Sequence, residues 1–312
     1  MIIAPFVVSL REGIEAALII AIMLSYLRKT GRENLKRGVI YGTSLAFVCS
    51  LLLATMMAMI WGAFEGPMMN VFEGSVVLIA AILLTSMIFW MRKASFGLAS
   101  EIEQSVEEGV TKTRLSLALL AFALILREGV ELVLFTAALA IQEGSTTYIG
   151  AFLGLIVATF VGFSIYQGSL RINFKSFFNT TSVLLVLFAA GMIAYGIHEL
   201  QEVGILAIGP LEVWNINPPL LPDGSYPLLH EKGLIGGLAK ALFGYNGNPS
   251  ALEVIAYLGY LGLISLAYFQ TRDSSSAPRS ASKRVVIHVQ ITRARGFPSV
   301  VDPKDGNWMI EK

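Results

Sequence analysis

The sequence predicts an all-α, polytopic membrane protein with seven transmembrane helices, and three observations support this fold class. The first is composition: of the 312 residues, 55% are hydrophobic and only 14% are charged, and the mean hydropathy is +0.67. Soluble domains are less apolar and carry about 25% charged residues. The second observation is the number of long apolar runs, and the third is the distribution of basic residues between them.

Seven apolar runs reach the length of about 20 residues that a helix needs to cross the hydrocarbon core of a bilayer. They lie at 2–27, 39–63, 71–91, 115–141, 148–167, 178–198 and 251–270. The first run has no basic segment before it and is interrupted by Arg11 and Glu12, which is unlike a cleaved signal peptide. We therefore expect it to remain as the first helix.

The segments between the runs alternate between basic and acidic. The basic segments are 28–38, 92–114, 168–177 and the part of the chain after Gln270. The acidic segments are those around Glu65 and Glu73, at Glu143, and over 199–250. Because basic loops are retained in the cytoplasm, this alternation predicts an N-terminus outside and a C-terminus inside.

One five-residue pattern occurs twice, in the first and in the fourth predicted helix. The copies are Arg11-Glu12-Gly13-Ile14-Glu15 and Arg127-Glu128-Gly129-Val130-Glu131. The third and sixth helices also share similar stretches, which begin at Ser75 and Ser182. We therefore predict two three-helix repeats, over about 1–95 and 113–200. Since three is an odd number, the repeats run in opposite senses through the membrane, as inverted repeats do in many secondary transporters.

The rest of the predicted transmembrane domain, which covers 1–270, is added to these repeats. The Gly- and Pro-rich segment 199–250 is expected to form an irregular outside loop. Residues 251–270 form a seventh helix that has no counterpart in the repeats. Residues 271–312 begin with a basic stretch rich in Ser, Ala and Pro, and we predict a flexible cytoplasmic tail.

Each copy of the pattern places three charged side chains on one helix face at membrane depth. Glu12 and Glu15 are i,i+3 neighbours, and Arg11 and Glu15 are i,i+4 neighbours; the same spacing recurs in the second copy. Gly13 and Gly129 allow a neighbouring helix to approach closely. With a rise of about 1.5 Å per residue, the copies fall at the same depth in oppositely directed helices. Four carboxylates are therefore expected to meet near the membrane centre.

Ionisable groups at this depth are costly and are usually functional. Carboxylate oxygens bind hard, multiply charged cations such as iron, manganese, calcium or magnesium. The predicted metal ligands are Glu12, Glu15, Glu128 and Glu131, supported by Arg11, Arg127, Gly13 and Gly129. The alternative is that the charged residues form buried salt bridges that only hold the helices together.

The doubled motif resembles the high-affinity iron permease family, the oxidase-dependent iron transporters of fungi, bacteria and archaea. The resemblance covers residues 1 to about 270 and includes the stretches 90–93 and 191–202. It implies a permease and not an enzyme, with the iron ion as transported substrate, no organic cofactor, and the motif glutamates as iron ligands. In fungi the family imports the ferric product of a multicopper oxidase. An outside oxidase or iron-delivery protein is therefore an expected partner.

Seven further glutamates and one histidine are secondary candidates for a metal relay or an entrance. The outer candidates are Glu73, His198, Glu199 and Glu202. The last three could equally form an interfacial polar cap at the end of the sixth helix. The inner candidates are Glu101, Glu103, Glu107 and Glu108. For these a solvated face of an amphipathic helix is the simpler interpretation.

Other activities find little support in the residues present. The string 198–202 resembles the zinc-protease pattern but has a glutamate in place of the second histidine. With three histidines and one cysteine, no copper-type cluster for a ferroxidase is expected. The open alternatives are an importer of another cation, such as manganese or lead, and a membrane metal sensor or subunit. In each case we predict a multi-pass protein of the cell membrane that contacts lipid and no nucleic acid.

Overall fold

The structure, a computed structural model, describes residues 2–94, 102–107, 114–167 and 174–276. These residues form helices and connecting loops without a β-strand, which confirms the all-α class. The helices are α1 (Ile3–Lys29), α2 (Lys36–Trp61), α3 (Pro67–Ala94), α4 (102–107), α5 (Arg114–Glu143), α6 (Thr146–Tyr166), α7 (Phe174–Glu202), α8 (Leu234–Phe243) and α9 (Ala251–Ser276). A short 3-10 helix, Glu33–Leu35, precedes α2.

The seven long helices of the described residues coincide with the seven predicted apolar runs. Four of them, α2, α3, α6 and α7, are long and apolar enough to cross a membrane, and α9 contains a shorter apolar part, Ala251–Ala267. Helices α1 and α5 are equally long, but each carries three charged motif residues near its middle. The chain is thus a membrane protein, whereas the crossing by all seven helices and their orientation stay predictions.

The chain divides into a unit of residues 1–269 and a second unit of residues 270–312. In the second unit the described residues are those at the end of α9, which extends to Ser276 and so passes the predicted helix end at residue 270. The remainder of the predicted tail lies outside the described residues.

The long helices pack in three main pairs, and none of these pairs is formed by consecutive helices. Helix α1 lies along α6, α2 lies along α5, and α3 lies along α7. Helix α1 also crosses α5. Exchanging α1 with α5, α2 with α6 and α3 with α7 turns the pair α1–α6 into α5–α2 and leaves the pair α3–α7 unchanged. The same three pairs are therefore obtained. Two repeats related by a two-fold axis would produce such a pattern, and the repeats themselves stay a prediction.

Glycines allow the close approach within the first two pairs. A Cβ on Gly42 of α2 would collide with the backbone of Ala118 in α5, and a Cβ on Gly150 of α6 would collide with the backbone of Ile2 next to α1. Ile2 and Ala118 each precede the arginine of their motif copy by nine residues. The same helix contact is therefore built twice, once in each half of the chain.

The two ends of the bundle are covered by smaller elements. At one end, α4 buries Ile102 and Val106 in a cluster with Leu27 and Leu117, so α4 is amphipathic. At the other end, Gly244 at the C-terminal end of α8 touches Gly191 of α7. The irregular segment between α7 and α9 thus folds back onto the helix that precedes it.

Gly154 of α6 provides a test of this packing. A Cβ at this position would lie 2.6 Å from the carbonyl oxygen of Phe6 and 2.8 Å from the backbone nitrogen of Leu10. We expect Gly154→Leu to lower the free energy of unfolding by about 1–3 kcal/mol, because backbone atoms cannot move aside as a side chain can. The matched control is Gly262→Leu in α9, where a Cβ meets nothing within 4 Å. Equal thermal unfolding temperatures for the two variants in detergent would contradict this packing.

Candidate metal site

The two motif copies lie where α1 crosses α5, and their glycines face outward from this crossing. A Cβ on Gly13 would lie 2.6 Å from the Cβ of Ala158 in α6, and a Cβ on Gly129 would collide with the Ser50 hydroxyl of α2. Each motif helix is therefore held tightly against its long partner on the glycine side. The charged residues on the rest of the helix surface are thereby fixed in position.

Three of the four motif glutamates converge. Glu12, Glu15 and Glu128 each direct a carboxylate oxygen to one place, and these oxygens lie within 4.8 Å of one another. All three residues are buried, with at most 6% of their surface exposed. Two of them come from α1 and one from α5, so the group exists only because the two helices cross. We refer to these three residues as the carboxylate trio.

The fourth motif glutamate, Glu131, is not part of the trio. Its Oε1 accepts a hydrogen bond from Arg127 Nε at 2.8 Å, and 15% of its side chain is exposed. The sequence predicts that four carboxylates converge, and in the structure three of them form the group. In the same part of the chain Glu131 forms an i,i+4 ion pair with Arg127, at 2.8 Å.

The two arginines, which occupy equivalent positions in the motif, lie in different surroundings. The side chain of Arg11 is fully buried; its Nη1 lies 3.1 Å from Glu12 Oε1 and donates to the sulfur of Met87 at 2.8 Å. Its Nη2 lies 3.2 Å from Glu15 Oε1 without hydrogen-bond geometry, so this second contact is purely electrostatic. The side chain of Arg127 is 44% exposed, and among the described residues it forms an ion pair with Glu131 only.

Several carboxylate oxygens of the site have no hydrogen-bond partner within the described part of the chain. These atoms are Glu12 Oε2, Glu15 Oε1, Glu128 Oε2 and Glu131 Oε2. Leaving a buried polar atom without a partner costs about 1–3 kcal/mol, and more for a charged group. A cation bound between these oxygens would remove this cost. The trio therefore has the donor set that a hard metal ion requires.

A cavity of about 840 Å³ reaches the site from between α1, α2, α5 and α6. Its lining includes Glu12 and Glu128, the hydroxyls of Thr43 and Ser50, and otherwise mostly apolar side chains. Both glutamates of this lining belong to the trio. The site is thus open to a space large enough for a hydrated ion.

The outer candidates form a network of ion pairs and hydrogen bonds. His198 lies 3.3 Å from Glu202 through Nε2 and 2.9 Å from Glu253 through Nδ1. Glu202 also accepts a hydrogen bond from Asn70. A cavity of about 250 Å³ is lined by His198, Glu199 and Glu253 among others. A metal relay here stays a prediction, and the observed contacts join α7 to α3 and α9.

The remaining candidates lie apart from the trio. Glu73 accepts a hydrogen bond from the indole nitrogen of Trp61 at 2.9 Å, which joins α3 to the end of α2. On α4, Glu103 is half-buried and Glu107 is exposed. Ile102 and Val106 of the same helix are buried. The placement of the two glutamates is thus the one expected for the solvated face of an amphipathic helix. Glu101 and Glu108 lie outside the described residues.

Three residues of these sites were not singled out from the sequence for the roles they play. Met87 contacts Arg11, and the ring of Trp90 lies 4.4 Å from the guanidinium carbon of Arg127. Glu253 is 2% exposed and also accepts hydrogen bonds from Asn246 and from the backbone of Ser250. In the sequence, Glu253 is a carboxylate at the start of an apolar run, and Trp90 lies in the stretch 90–93 that takes part in the family resemblance.

The unequal burial of the two arginines predicts unequal effects on stability. Arg11→Met removes the charge that compensates Glu12 and Glu15, and breaking such a buried pair typically costs about 3–5 kcal/mol. Arg127→Met removes a half-exposed partner of one glutamate, so its effect is expected to be clearly smaller. Thermal unfolding of both variants in detergent measures the difference. An Arg127→Met variant as unstable as Arg11→Met would contradict the asymmetry.

Comparison with known proteins identifies the family of the chain. The Iron permease FTR1 family matches residues 2–271. An uncharacterised protein of Archaeoglobus fulgidus is 38% identical over 273 residues, which cover 84% of this chain and 94% of that protein. The ferrous iron permease EfeU of Escherichia coli O157:H7 is 35% identical over 89% of this chain and 99% of its own length. The EfeU of Yersinia pestis is 32% identical over 90% and 98%.

No solved structure matches the chain. The comparisons confirm the resemblance inferred from the doubled motif. They also confirm the prediction of a transporter, because the matching family and the named relatives are permeases and not enzymes. With nearly its whole apolar region matched, this membrane protein belongs to the iron permease FTR1 family.

Proposed function

We propose that this protein imports iron ions across the cell membrane and binds them at the carboxylate trio of Glu12, Glu15 and Glu128. The observation that carries the proposal is the convergence of three buried carboxylates from two crossing helices, each with an oxygen that lacks a hydrogen-bond partner. Oxygen ligands of this kind suit iron as a hard cation. Membership of an iron permease family makes iron the first candidate among such cations.

The charges at the site favour a divalent ion. The four motif glutamates and the two motif arginines together carry two excess negative charges. Unpaired charge is expensive in an apolar interior, so one divalent cation is the best match. Ferrous iron has this charge, and relatives are named ferrous iron permeases. Manganese has the same charge and similar ligand preferences, so it is the competitor to test.

Movement of the ion is proposed to follow alternating access between the two repeats. The support is the exchange pattern of the helix pairs, with the motif crossing shared by both repeats. Such an arrangement places the substrate site between repeats that can rock about it. In this scheme Glu131 and Arg127 take the places of Glu15 and Arg11 when the site opens to the opposite side.

The proposed topology has seven spans, an outer N-terminus and a cytoplasmic C-terminus. It can be tested with single cysteines in a Cys49→Ala background. We expect a membrane-impermeant maleimide to label Glu212→Cys in intact cells, because the segment between α7 and α9 is assigned to the outside. Glu33→Cys should be labelled only after the cells are made permeable. The reverse order of labelling would overturn the orientation.

Uptake of radioactive ferrous iron into proteoliposomes tests the proposed function. We expect Glu12→Gln, Glu15→Gln and Glu128→Gln each to lower uptake at least about tenfold. Mutating a residue that only orients a metal ligand typically lowers metal affinity or activity about 10–100-fold, and loss of the ligand itself should lower it at least as much. The matched control is Glu33→Gln, a glutamate that is 57% exposed and remote in sequence from the motifs. An excess of manganese measures selectivity.

The same assay separates the alternatives. A protein that binds iron in detergent but accumulates none in vesicles would be a sensor or subunit and not a permease. Full uptake by Glu15→Gln and Glu128→Gln combined would show that the trio is not the transport site. Uptake of manganese in preference to iron would show that the protein is a manganese importer.

A further inference from the structure

Among the described ion pairs, Arg127 pairs with Glu131 and with no member of the carboxylate trio, although nothing in its sequence position requires this. Its Nε donates to Glu131 at 2.8 Å, and its guanidinium carbon lies 4.4 Å from the ring centre of Trp90 in α3. This distance is well inside the limit of about 6 Å for a cation–π interaction. The indole ring thus holds the positive charge at the side of the site, where the side chain is 44% exposed.

Arg11 shows what the same motif position can do when the ring is farther away. Its guanidinium reaches both glutamates of its own copy, at 3.1 Å and 3.2 Å, while the centre of the Phe178 ring is 5.9 Å away, at the edge of the range of a cation–π interaction. The spacing of the second copy is the same. Arg127 could therefore bridge Glu128 and Glu131 as Arg11 bridges Glu12 and Glu15.

Such a bridge would change the chemistry of the trio. Glu128 Oε2 has no hydrogen-bond partner and its carboxylate meets those of Glu12 and Glu15. Arg11 already pairs with Glu12 and Glu15, so a pair between Arg127 and Glu128 would leave no member of the trio without an arginine. It would also place a second guanidinium next to an arriving cation, and the two like charges would repel.

We propose that Trp90 is a positioning residue that keeps Arg127 out of the trio and so keeps Glu128 available for the metal ion. This inference rests on the proposed function, in which the trio binds the ion. In this role Trp90 acts through Arg127 and is not itself a ligand of the ion. Its ring determines which of the two glutamates of α5 is neutralised by arginine and which is left for the substrate.

Binding of ferrous iron to the purified full chain in detergent, without oxygen, tests the proposal. We expect Trp90→Leu to weaken binding about fivefold to tenfold, in keeping with the strength of a cation–π contact. Trp90→Tyr keeps an aromatic face and should stay within about twofold of the wild type. The matched control is Trp214→Leu, since Trp90 and Trp214 are similarly exposed, at 38% and 40%, and Trp214 lies in the segment after α7. It should bind as the wild type does.

A double-mutant cycle separates positioning from packing. In an Arg127→Gln background the tryptophan has no charge to hold, so adding Trp90→Leu should not weaken binding further. Equal losses in both backgrounds would make Trp90 a packing residue and overturn the proposal. So would unchanged binding by Trp90→Leu, or equal weakening by the Tyr and Leu variants. Wild-type binding that is absent, or that is insensitive to Glu15→Gln, would instead overturn the proposed function.

Discussion

Compensation of charge inside an apolar bundle is the constraint on which the rest of this structure depends. Lipid offers neither hydrogen bonds nor counterions, so the charge of every ionised group must be compensated by another side chain or by a bound ion. Arg11 forms ion pairs with Glu12 and Glu15 within one helix. Glu128 lies next to those two carboxylates, and no arginine of the described residues forms an ion pair with it. The site is thus short of positive charge where α1 and α5 cross. A bound cation supplies that charge in the proposed function.

The helix packing serves this crossing. A motif helix that could slide or rotate would turn its carboxylates toward lipid, and the close contact at each motif glycine prevents this. Gly13 is fitted against Ala158 of α6, and Gly129 against Ser50 of α2. Because α1 and α5 are each held by a long partner on one side, their charged residues are left to face each other and the helices α3 and α7. Small residues therefore define the site as much as the charged ones do.

Much of the fold follows from the sequence because membrane helices are specified by length and apolarity alone. All seven predicted runs coincide with long helices, and the doubled motif predicts which two of them cross. The sequence does not reveal that α1 pairs with α6 and α2 with α5, because these contacts depend on small residues far apart in the chain. It also does not show that Glu131 leaves the group. Nor does it show that Arg127 lies against the ring of Trp90, because that contact depends on how α3 packs beside α5.

Two copies of one motif thus occupy two different states in a single structure. Arg11 is buried and bridges two glutamates, while Arg127 is half-exposed and pairs with one. If the repeats exchange roles, as alternating access requires, the second state uses the same kinds of contact in the opposite half of the chain. The two states would then differ little in free energy, since what one half loses the other gains. An energy difference this small lets the binding of one ion decide which state is populated, and an inverted repeat is the simplest way for a single chain to achieve it.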